Sequence, residues 1–435
     1  MIFEAKPTFY SMGIDVGTTG VRTAVVDSEH RFISNARVEF DLLGRINKQD
    51  ATHWWIAVRK CIHQQIFNLG KFSIDIKQIK FLTVNGTSGT IVMVDKNLNP
   101  VTRPLTYDSK GFDLEAESIT RQAPQSNHIS VGNNTVLARA LRLQSEDINK
   151  KAKYLLHQAD FIMALLSGKG GNTDKNNALK LGYDFENDCW PKWYSNTGLR
   201  PELLPKVFPV GHKIGNITPQ LVQEFGFSKR TIICCGTTDS IAGFLACSSP
   251  TEGVAVTSLG TTLAIKLAST TRIDDPSIGL YSHRLNGLWL VGGASNTGGG
   301  VLKKYFNHNE LKNLSNQIDT NSVSGLNYYP LRKKGERFPF NDGNFLPRMS
   351  PRPKNDILFL HGLLEGVASI EALCYQEIRK RGGPQITKLF TCGGGAKNDA
   401  WSRIRSKKLG MKVISQTNTE ASIGTAFIPL LKLKP

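Results

Sequence analysis

Short runs of apolar residues that end at a glycine turn dominate the N-terminal part of the chain. FYSMGIDV, VRTAVVDS and HRFISNARVEF, at residues 9–16, 21–28 and 30–40, have the length and composition of strands, and GTTG separates the first two. IKFLTVNG, at residues 79–86, shares these features. The pattern predicts a sheet that begins with a hairpin, which is not how a dinucleotide-binding fold begins.

Elsewhere the apolar positions recur at helical spacing. They predict helices over residues 54–68, 134–143, 153–166, 356–381 and 420–431. The fourth of these has basic residues in its last turn and a Gly-Gly stop. Two further segments predict a strand, a glycine turn and then a helix, at residues 230–247 and 386–404.

A Gly-Thr-Thr turn recurs along the chain. It stands at residues 17–19, 236–238 and 260–262, with a near copy, GTS, at residues 86–88. The third copy separates two predicted strands in residues 253–269, as the first copy does near the N-terminus. A repeat of this kind indicates two related domains.

The length of the chain agrees with that interpretation. Its 435 residues, 40% of them hydrophobic, exceed the about 250 to 300 residues at which single cores stop growing. We therefore expect one domain at residues 9–247 and a second at residues 248–435. The boundary falls in CSSPTEG, where Ser, Pro and Gly cluster.

The formal net charge of +18 would suit a nucleic-acid or acidic-membrane partner. The basic residues are scattered, however, and their densest groups, at residues 332–334 and 379–381, are short. The preferred interpretation is a solvated basic surface that attracts a polyanionic substrate, with no nucleic-acid partner.

The sequence favours a cytoplasmic protein. Its seven cysteines contain no CxxC pair, so they are interpreted as reduced packing residues. The leader lacks the regions of a secretory signal. Since no stretch approaches about 18 uncharged apolar residues, we expect no membrane partner.

The Gly-Thr-Thr turns are suited to binding phosphate. Glycine lets main-chain N–H groups approach a ligand closely, and threonine adds hydroxyl donors, so a turn of this composition offers converging donors to a polyphosphate. The chain lacks GxxxxGK[ST], GxGxxG after a strand, HRD, DFG, GxSxG and HExxH. P-loop, nicotinamide-dependent, protein-kinase, simple serine-hydrolase and zinc-protease interpretations therefore lose support.

Several motifs in order resemble those of the FGGY family of carbohydrate kinases. They are DVGTTG at residues 15–20, GTTDS at 236–240, SLGTT at 258–262, GERFP at 335–339 and GGGAKN at 393–398. Within the family, NGTSGT, NALKLGYD, GTTDSIAGFLA and GLLEG are similar to the shortened plant and cyanobacterial D-ribulokinase-like group.

The resemblance implies an α/β fold of two ribonuclease-H-like domains, of the actin, hexokinase and Hsp70 type, hinged around an ATP cleft. The first domain would bind the sugar and the second the nucleotide. ATP with Mg²⁺ would be used to phosphorylate a ketopentose, by a monomer or a homodimer.

Asp239 is the expected catalytic base, because a sugar hydroxyl needs a carboxylate within hydrogen-bond reach to take its proton. It follows the turn and opens an apolar helix, where the helix dipole favours the ionised form; a plain helix cap is the alternative. Asp15 lies between apolar strand residues, where an acid is costly to bury unless a cation or donors satisfy it. Mg²⁺, through water, is its expected partner, and the family's matching aspartate also lies near the sugar; a structural turn acid is the alternative.

The resemblance assigns the nucleotide to two phosphate turns and an adenosine loop. The expected contacts are Thr18, Thr19, Gly20, Arg22, Gly260, Thr261, Gly298, Gly299, Gly394, Gly395, Asn398 and Trp401. Gly298 and Gly299 would offer free N–H groups at a helix start, and Trp401 would form an aromatic wall. Ordinary hairpin turns, close helix packing and a core tryptophan are the respective alternatives.

The resemblance assigns the sugar to Asp15, Thr19, Gly20, Ser88, Asp239 and Ser240. Xylulokinases usually show SGQMHG at the substrate-facing loop, whereas this chain reads SGTIVM from Ser88. The missing Met-His pair favours D-ribulose over D-xylulose. A D-xylulokinase, a glycerol kinase, a nucleotide-gated sugar-binding protein with slow ATPase activity and a nucleic-acid-binding protein are the rival interpretations.

Overall fold

The computed structural model describes residues 9–41, 50–124 and 128–432. The chain forms two compact units, unit 1 from residues 1–246 with 420–435 and unit 2 from residues 247–419. The division after residue 246 lies next to the expected boundary. The last segment, however, clusters with unit 1, whereas the expected second domain ran from 248 to 435.

The elements up to residue 247 begin with three consecutive strands, and helices and further strands follow. They are β1 Tyr10–Val16, β2 Gly20–Asp27, β3 Phe32–Glu39, α1 Ala51–Gly70, β4 Ile79–Gly86, β5 Ile91–Val94, α2 Asp113–Gln122, α3 Val136–Glu146, β6 Tyr154–His157, α4 Gln158–Ser167, β7 Asn172–Asp174, α5 Lys175–Leu181, β8 Lys206–Phe208, β9 Lys213–Asn216, α6 Pro219–Phe225, β10 Ile232–Thr238 and α7 Asp239–Cys247.

The remaining elements repeat the pattern of hairpins followed by helices. They are β11 Val254–Leu259, β12 Leu263–Ser269, β13 Tyr281–Leu285, β14 Leu288–Ser295, α8 Gly299–Leu302, α9 His308–Gln317, α10 Asp356–Lys380, β15 Lys388–Cys392, α11 Asp399–Leu409, β16 Val413–Ser415 and α12 Ala421–Phe427. The predicted hairpins, the helix α1 and the long helix α10 are confirmed.

The main sheet of unit 1 has the strand order β3-β2-β1-β4-β10-β9. β1 pairs antiparallel with β2 and parallel with β4, and β4 pairs parallel with β10. Every residue of β1 is buried, because helices cover both faces of a strand at the centre of such a sheet. The parallel strands β1, β4 and β10 therefore end at one edge.

The main sheet of unit 2 has the order β13-β14-β12-β11-β15-β16. β11 pairs antiparallel with β12 and parallel with β15, as β1 does with β2 and β4. Five strands of each sheet therefore follow the same order, β3-β2-β1-β4-β10 in unit 1 and β14-β12-β11-β15-β16 in unit 2, which confirms the repeat and the α/β fold class for each unit.

Helix α12 packs on β1, β2 and β4 of unit 1. Small residues allow this close approach: a Cβ atom at Gly13 would collide with the Ser422 carbonyl oxygen, and one at Gly424 would collide with the Ala242 carbonyl oxygen. The last helix consequently belongs to the core of unit 1, and its position in the sequence gave no sign of this.

One helix prediction needs correction. Residues 153–166 were expected to form one helix, but they form strand β6, which pairs with β5, followed by helix α4 at Gln158. The longest apolar helix is α10, which has the length and composition of a membrane span. Since 72% of its apolar window is buried inside unit 2, α10 is a core helix of that unit.

A buried ion pair joins α10 to α11. The Arg405 guanidinium donates to both carboxylate oxygens of Glu371, at 2.6 and 2.8 Å, and neither side chain is exposed to solvent. Thr257 donates to Glu371 at 2.6 Å, and Arg405 donates to Thr391 at 2.9 Å. The pair therefore fastens two helices to the strands β11 and β15.

Candidate active site

Polar residues of three neighbouring strands meet at the carboxyl edge of the unit 1 sheet. Asp15 on β1 is in register with Asn85 on β4, and Asn85 is in register with Thr237 on β10. Asp239 follows directly after β10, as the first residue of α7. The carboxyl edge of a sheet containing parallel strands is where ligands bind in open α/β folds.

Asp15 is a buried carboxylate beside one arginine. Its side chain lies 3.4 Å from Arg22, whose guanidinium also donates to the Thr19 hydroxyl at 3.3 Å. Burial raises the pKa of Asp15 to about 6; the positive charge of Arg22 opposes this rise, and the charges of Asp239 and Glu420 add to it. The two predicted carboxylates therefore act on each other within unit 1.

Asp239 is half-buried, and its carboxylate accepts a hydrogen bond from the Ser240 backbone N–H at 2.7 Å. Ser240 itself is exposed. The position at the start of α7 agrees with the predicted strand, turn and helix. A carboxylate here lies at the edge where strands β1, β4 and β10 end.

The first Gly-Thr-Thr turn borders a small cavity of about 20 Å³ within unit 1. Thr18 and Thr19 are exposed, and the Gly17 N–H donates to the Gly20 carbonyl oxygen at 3.0 Å, which closes the turn. Gly20 is buried, and a Cβ atom there would collide with the Val38 carbonyl oxygen. Gly20 thus permits the pairing of β2 with β3, while the threonines face outwards.

The cavity is lined in part by Gly17, Thr18, Trp54, Thr87, Thr90 and Gln158. The sequence analysis did not identify three of these lining residues as candidate site residues: Gln158, Thr87 and Trp54. Thr87 lies in the GTS copy, where only Ser88 had been singled out. The sequence gave no indication that Gln158 borders a site, because it is an interior residue of the helix predicted over residues 153–166.

Several buried polar atoms at this edge have no hydrogen-bond partner among the described residues. They are Ser88 Oγ, Asn85 Oδ1 and Thr238 Oγ1. A buried polar group without a partner is costly. These atoms therefore fit a polar ligand at the carboxyl edge, and the hydroxyl of Ser88, a predicted sugar contact, is one of them.

Asp15 is compatible with magnesium that arrives with a nucleotide. Mg²⁺ in phosphoryl-transfer sites is commonly held by one or two carboxylates, water and substrate phosphates. Within residues 9–41, 50–124 and 128–432 no group of three or more His, Cys, Asp or Glu side chains could hold a metal. The fit thus rests on one carboxylate, and the remaining ligands would come from phosphate and water.

The second Gly-Thr-Thr turn joins β11 to β12 in unit 2. Its Gly260 N–H donates to the Thr262 carbonyl oxygen at 3.1 Å, and Thr261 is exposed. The free N–H group expected at Gly299 is not found, because it donates to the Gly260 carbonyl oxygen at 2.9 Å. A Cβ atom at Gly298 would lie 2.7 Å from the Thr262 carbonyl carbon. Close packing of α8 on the turn therefore explains both glycines.

The expected adenosine contacts are only partly exposed. Gly394 lies on the surface and Gly395 is half-buried. Asn398 caps α11 by accepting from the Trp401 N–H at 2.9 Å, and it donates to Ser315 at 2.8 Å. The amide nitrogen and oxygen of Asn398 are thus both hydrogen-bonded within unit 2.

Trp401 does not form an aromatic wall. It is only 1% exposed, and its indole N–H donates to the Leu364 carbonyl oxygen at 3.1 Å. Its ring lies under Gly395, where a Cβ atom would come within 2.9 Å of it. Trp401 is therefore a core residue of unit 2 that supports the glycine loop from below.

The motif GERFP has a structural function in unit 2. Glu336 is buried and accepts from Ser295 at 2.7 Å, Tyr329 at 2.8 Å and the Asn296 N–H at 2.6 Å. This carboxylate joins the end of β14 to the segment that follows α9.

Comparison with known proteins identifies the family. The sequence model of the FGGY family of carbohydrate kinases, N-terminal domain, matches residues 10–246, and that of its C-terminal domain matches residues 255–430. The chain belongs to the FGGY family of carbohydrate kinases.

Relatives match over nearly the whole chain at low identity. A xylulose kinase of Haemophilus influenzae is 24% identical over 448 residues, which cover 94% of this chain and 88% of the relative. A xylulose kinase of Staphylococcus epidermidis is 21% identical over 436 residues, with 96% and 86% covered.

Solved structures show the same fold. A ligand-bound xylulose kinase from Lactobacillus acidophilus superposes with a TM-score of 0.82 at 18% identity, covering 98% of this chain and 90% of that one. A Plasmodium falciparum glycerol kinase with ADP gives a TM-score of 0.82 at 14% identity, with the same coverage. At such identities the likeness concerns the fold alone.

Proposed function

We propose that this chain is an ATP-dependent kinase that transfers the γ-phosphoryl group to the terminal hydroxyl of a ketopentose. The observation that carries the proposal is the pair of carboxylates, Asp15 and Asp239, whose charges act on each other at the carboxyl edge of unit 1, where buried polar atoms have no partner among the described residues. This arrangement is suited to a polyhydroxylated ligand and to removal of one of its protons.

Asp239 is proposed as the general base. Its carboxylate takes the proton of the acceptor hydroxyl as that oxygen bonds to the γ-phosphorus, and the bond between the γ-phosphorus and the bridging oxygen breaks to leave ADP. The N-terminal position on α7 favours the ionised carboxylate.

Asp15 is proposed to orient the sugar and to receive the magnesium of the nucleotide. Its pairing with Arg22 at 3.4 Å keeps a positive charge beside the carboxylate. When bound, magnesium would neutralise charge on the phosphates. Thr18 and Thr19 of unit 1, and Gly260 and Thr261 of unit 2, are the proposed phosphate donors.

D-ribulose is the proposed sugar, because the loop that begins at Ser88 lacks the Met-His pair usual in xylulokinases. D-xylulose is the second candidate, and the names of the relatives favour it, since several of them are xylulose kinases. The two substrates differ only in the configuration of one carbon, so their kcat/KM ratio separates the candidates.

An ADP-release assay across D-ribulose, L-ribulose, D-xylulose and glycerol tests the proposal. We expect sugar-dependent turnover that is highest with D-ribulose, and Asp239→Asn should lower kcat by about 10²- to 10⁴-fold, the usual contribution of a general base. A rate of ADP release that no sugar changes would instead indicate a nucleotide-gated binding protein.

Asp50→Asn is a matched control for Asp239→Asn. Asp50 caps α1 by accepting from the Thr52 N–H at 2.9 Å. If Asp239 were only a helix cap, both variants would lose a similar amount of stability and little activity. Turnover that survives Asp239→Asn unchanged would remove the assignment of the base.

A further inference from the structure

Gln158 is the first residue of α4, and its side chain lines the cavity beside the first Gly-Thr-Thr turn. The residue is only 4% exposed. Its Oε1 atom accepts two hydrogen bonds from Thr87, one from the backbone N–H at 2.9 Å and one from the hydroxyl at 2.7 Å.

These bonds fix the orientation of the carboxamide. A backbone N–H can only donate, so the side-chain atom that faces it must be the oxygen of Gln158 rather than the nitrogen. The amide nitrogen, with two N–H donors, is consequently the other end of the group.

A chain of hydroxyl groups supports that orientation. The Tyr107 N–H donates to Thr90 Oγ1 at 3.2 Å, and the two threonine hydroxyl oxygens lie 2.7 Å apart. Because the Thr87 hydroxyl uses its only hydrogen on Gln158, Thr90 must donate to Thr87. The hydroxyl hydrogens of Thr87 and Thr90 therefore both have an acceptor within this network.

The Gln158 amide nitrogen differs from the rest of the network. Within the part of the chain that the structure describes, no group accepts a hydrogen bond from it, although Oε1 is doubly bonded. A neutral N–H donor in the wall of a cavity that is also lined by Trp54 and several threonines selects for an oxygen acceptor.

We propose that Gln158 donates a hydrogen bond from Nε2 to the carbonyl oxygen of the sugar, and so selects an open-chain ketose over the corresponding polyol. Asp15 and Asp239 can only accept when ionised, so they bind hydroxyl groups. A carbonyl oxygen carries no proton and therefore needs a donor. This inference rests on the proposed function and names the substrate group that the cavity distinguishes.

Direct binding of D-ribulose and of ribitol tests the inference. Calorimetry measures both dissociation constants for the wild type and for Gln158→Glu. The glutamate retains an oxygen that accepts from Thr87, but it replaces the amide donor with a second acceptor. We expect the Kd for D-ribulose to rise about tenfold or more, the size of one neutral hydrogen bond, while ribitol binding changes less.

A second variant and two readouts keep the test decisive. Gln158→Met removes the donor without adding a charge and should reduce the preference for ketose over polyol in the same direction. ATP binding should remain unchanged in both variants, and KM for the sugar should change more than kcat. Thr52→Ser, at an exposed site near the start of α1, is the control.

The outcomes separate the two proposals. If the wild type binds sugars and either folded variant keeps the full ketose preference, the inference about Gln158 is overturned and the proposed kinase activity stands. If the wild type neither binds nor phosphorylates any sugar of the panel, the proposed function fails and this inference fails with it.

Discussion

Replacing Asp15 by Asn should change how the stability of unit 1 depends on pH. Burial raises the pKa of Asp15 from 3.8 to about 6 in the folded protein. The folded state therefore holds this proton more tightly than the unfolded state. The wild type should lose stability as the pH rises from about 4 to about 6, and the loss should then persist at higher pH.

The magnitude follows from the shift. A difference of about two pKa units corresponds to about 3 kcal/mol, at 1.36 kcal/mol per unit. Asparagine does not titrate, so the free energy of unfolding of Asp15→Asn relative to wild type should increase by about 3 kcal/mol between pH 4 and pH 8. This figure already includes the charge of Arg22, which opposes the rise in the pKa of Asp15.

Hydrogen exchange of peptides that cover β1 is a suitable assay. Global unfolding curves of a chain with two units need not be two-state, whereas exchange in β1 reports on the element that carries Asp15. Comparing variant and wild type at each pH cancels the intrinsic pH dependence of exchange. A stability difference that stays constant within about 1 kcal/mol between pH 4 and pH 8 would refute the reasoning.

Asp27→Asn is the contrasting control. Asp27 is 1% exposed, and its carboxylate accepts from the Glu29 and Arg31 N–H groups at 2.9 Å and from the Arg31 guanidinium at 2.7 Å. Its replacement removes charge-assisted acceptors and should destabilise β2 by about 1–3 kcal/mol at neutral pH. The two buried aspartates of one sheet should thus respond in opposite directions.

Two further predictions concern packing. Glu371→Gln leaves the Arg405 charge buried without its partner, so unit 2 should lose about 3–5 kcal/mol of stability, measured by hydrogen exchange of β11 and β15. Lys380→Gln, which breaks an exposed ion pair, should cost less than about 1 kcal/mol of stability. Gly13→Ala places a Cβ atom against the Ser422 carbonyl oxygen, so α12 should detach and become sensitive to limited proteolysis. Gly70→Ala, at a position with open space around it, should not have this effect. Equal resistance of the two variants to proteolysis would contradict the packing argument.

The sequence alone predicted the strands of both Gly-Thr-Thr hairpins, the repeat and the position of the two acids. A run such as residues 9–16 is apolar throughout because the strand is buried on both faces, and this pattern is local. Asp15 was identifiable because it stands between apolar strand residues, and Asp239 because it stands between a glycine turn and an apolar helix. Signals of this kind depend on neighbours in the chain, and they need no knowledge of distant contacts.

The tertiary structure decided which candidates are available to a ligand. Asn398 ends the motif GGGAKN and Trp401 follows it, yet Asn398 caps α11 and Trp401 is packed in the core. Gly299 was expected to offer a free N–H, but the β11–β12 turn accepts its hydrogen bond. The partners Leu364, Ser315 and Gly260 are remote in the sequence from the residues that they bond, so composition and spacing contain no record of them.

The roles of Gln158 and α12 were not predicted from the sequence, because they also depend on contacts that are remote in the chain. Gln158 acquires its role through Thr87, from a different strand end, and through the register that brings β4 beside β1 and β10. Helix α12 joins unit 1 although it follows the whole of unit 2 in the chain. Local periodicity predicts that a segment is helical, but only complementary packing of small residues such as Gly13 and Gly424 determines which sheet it covers.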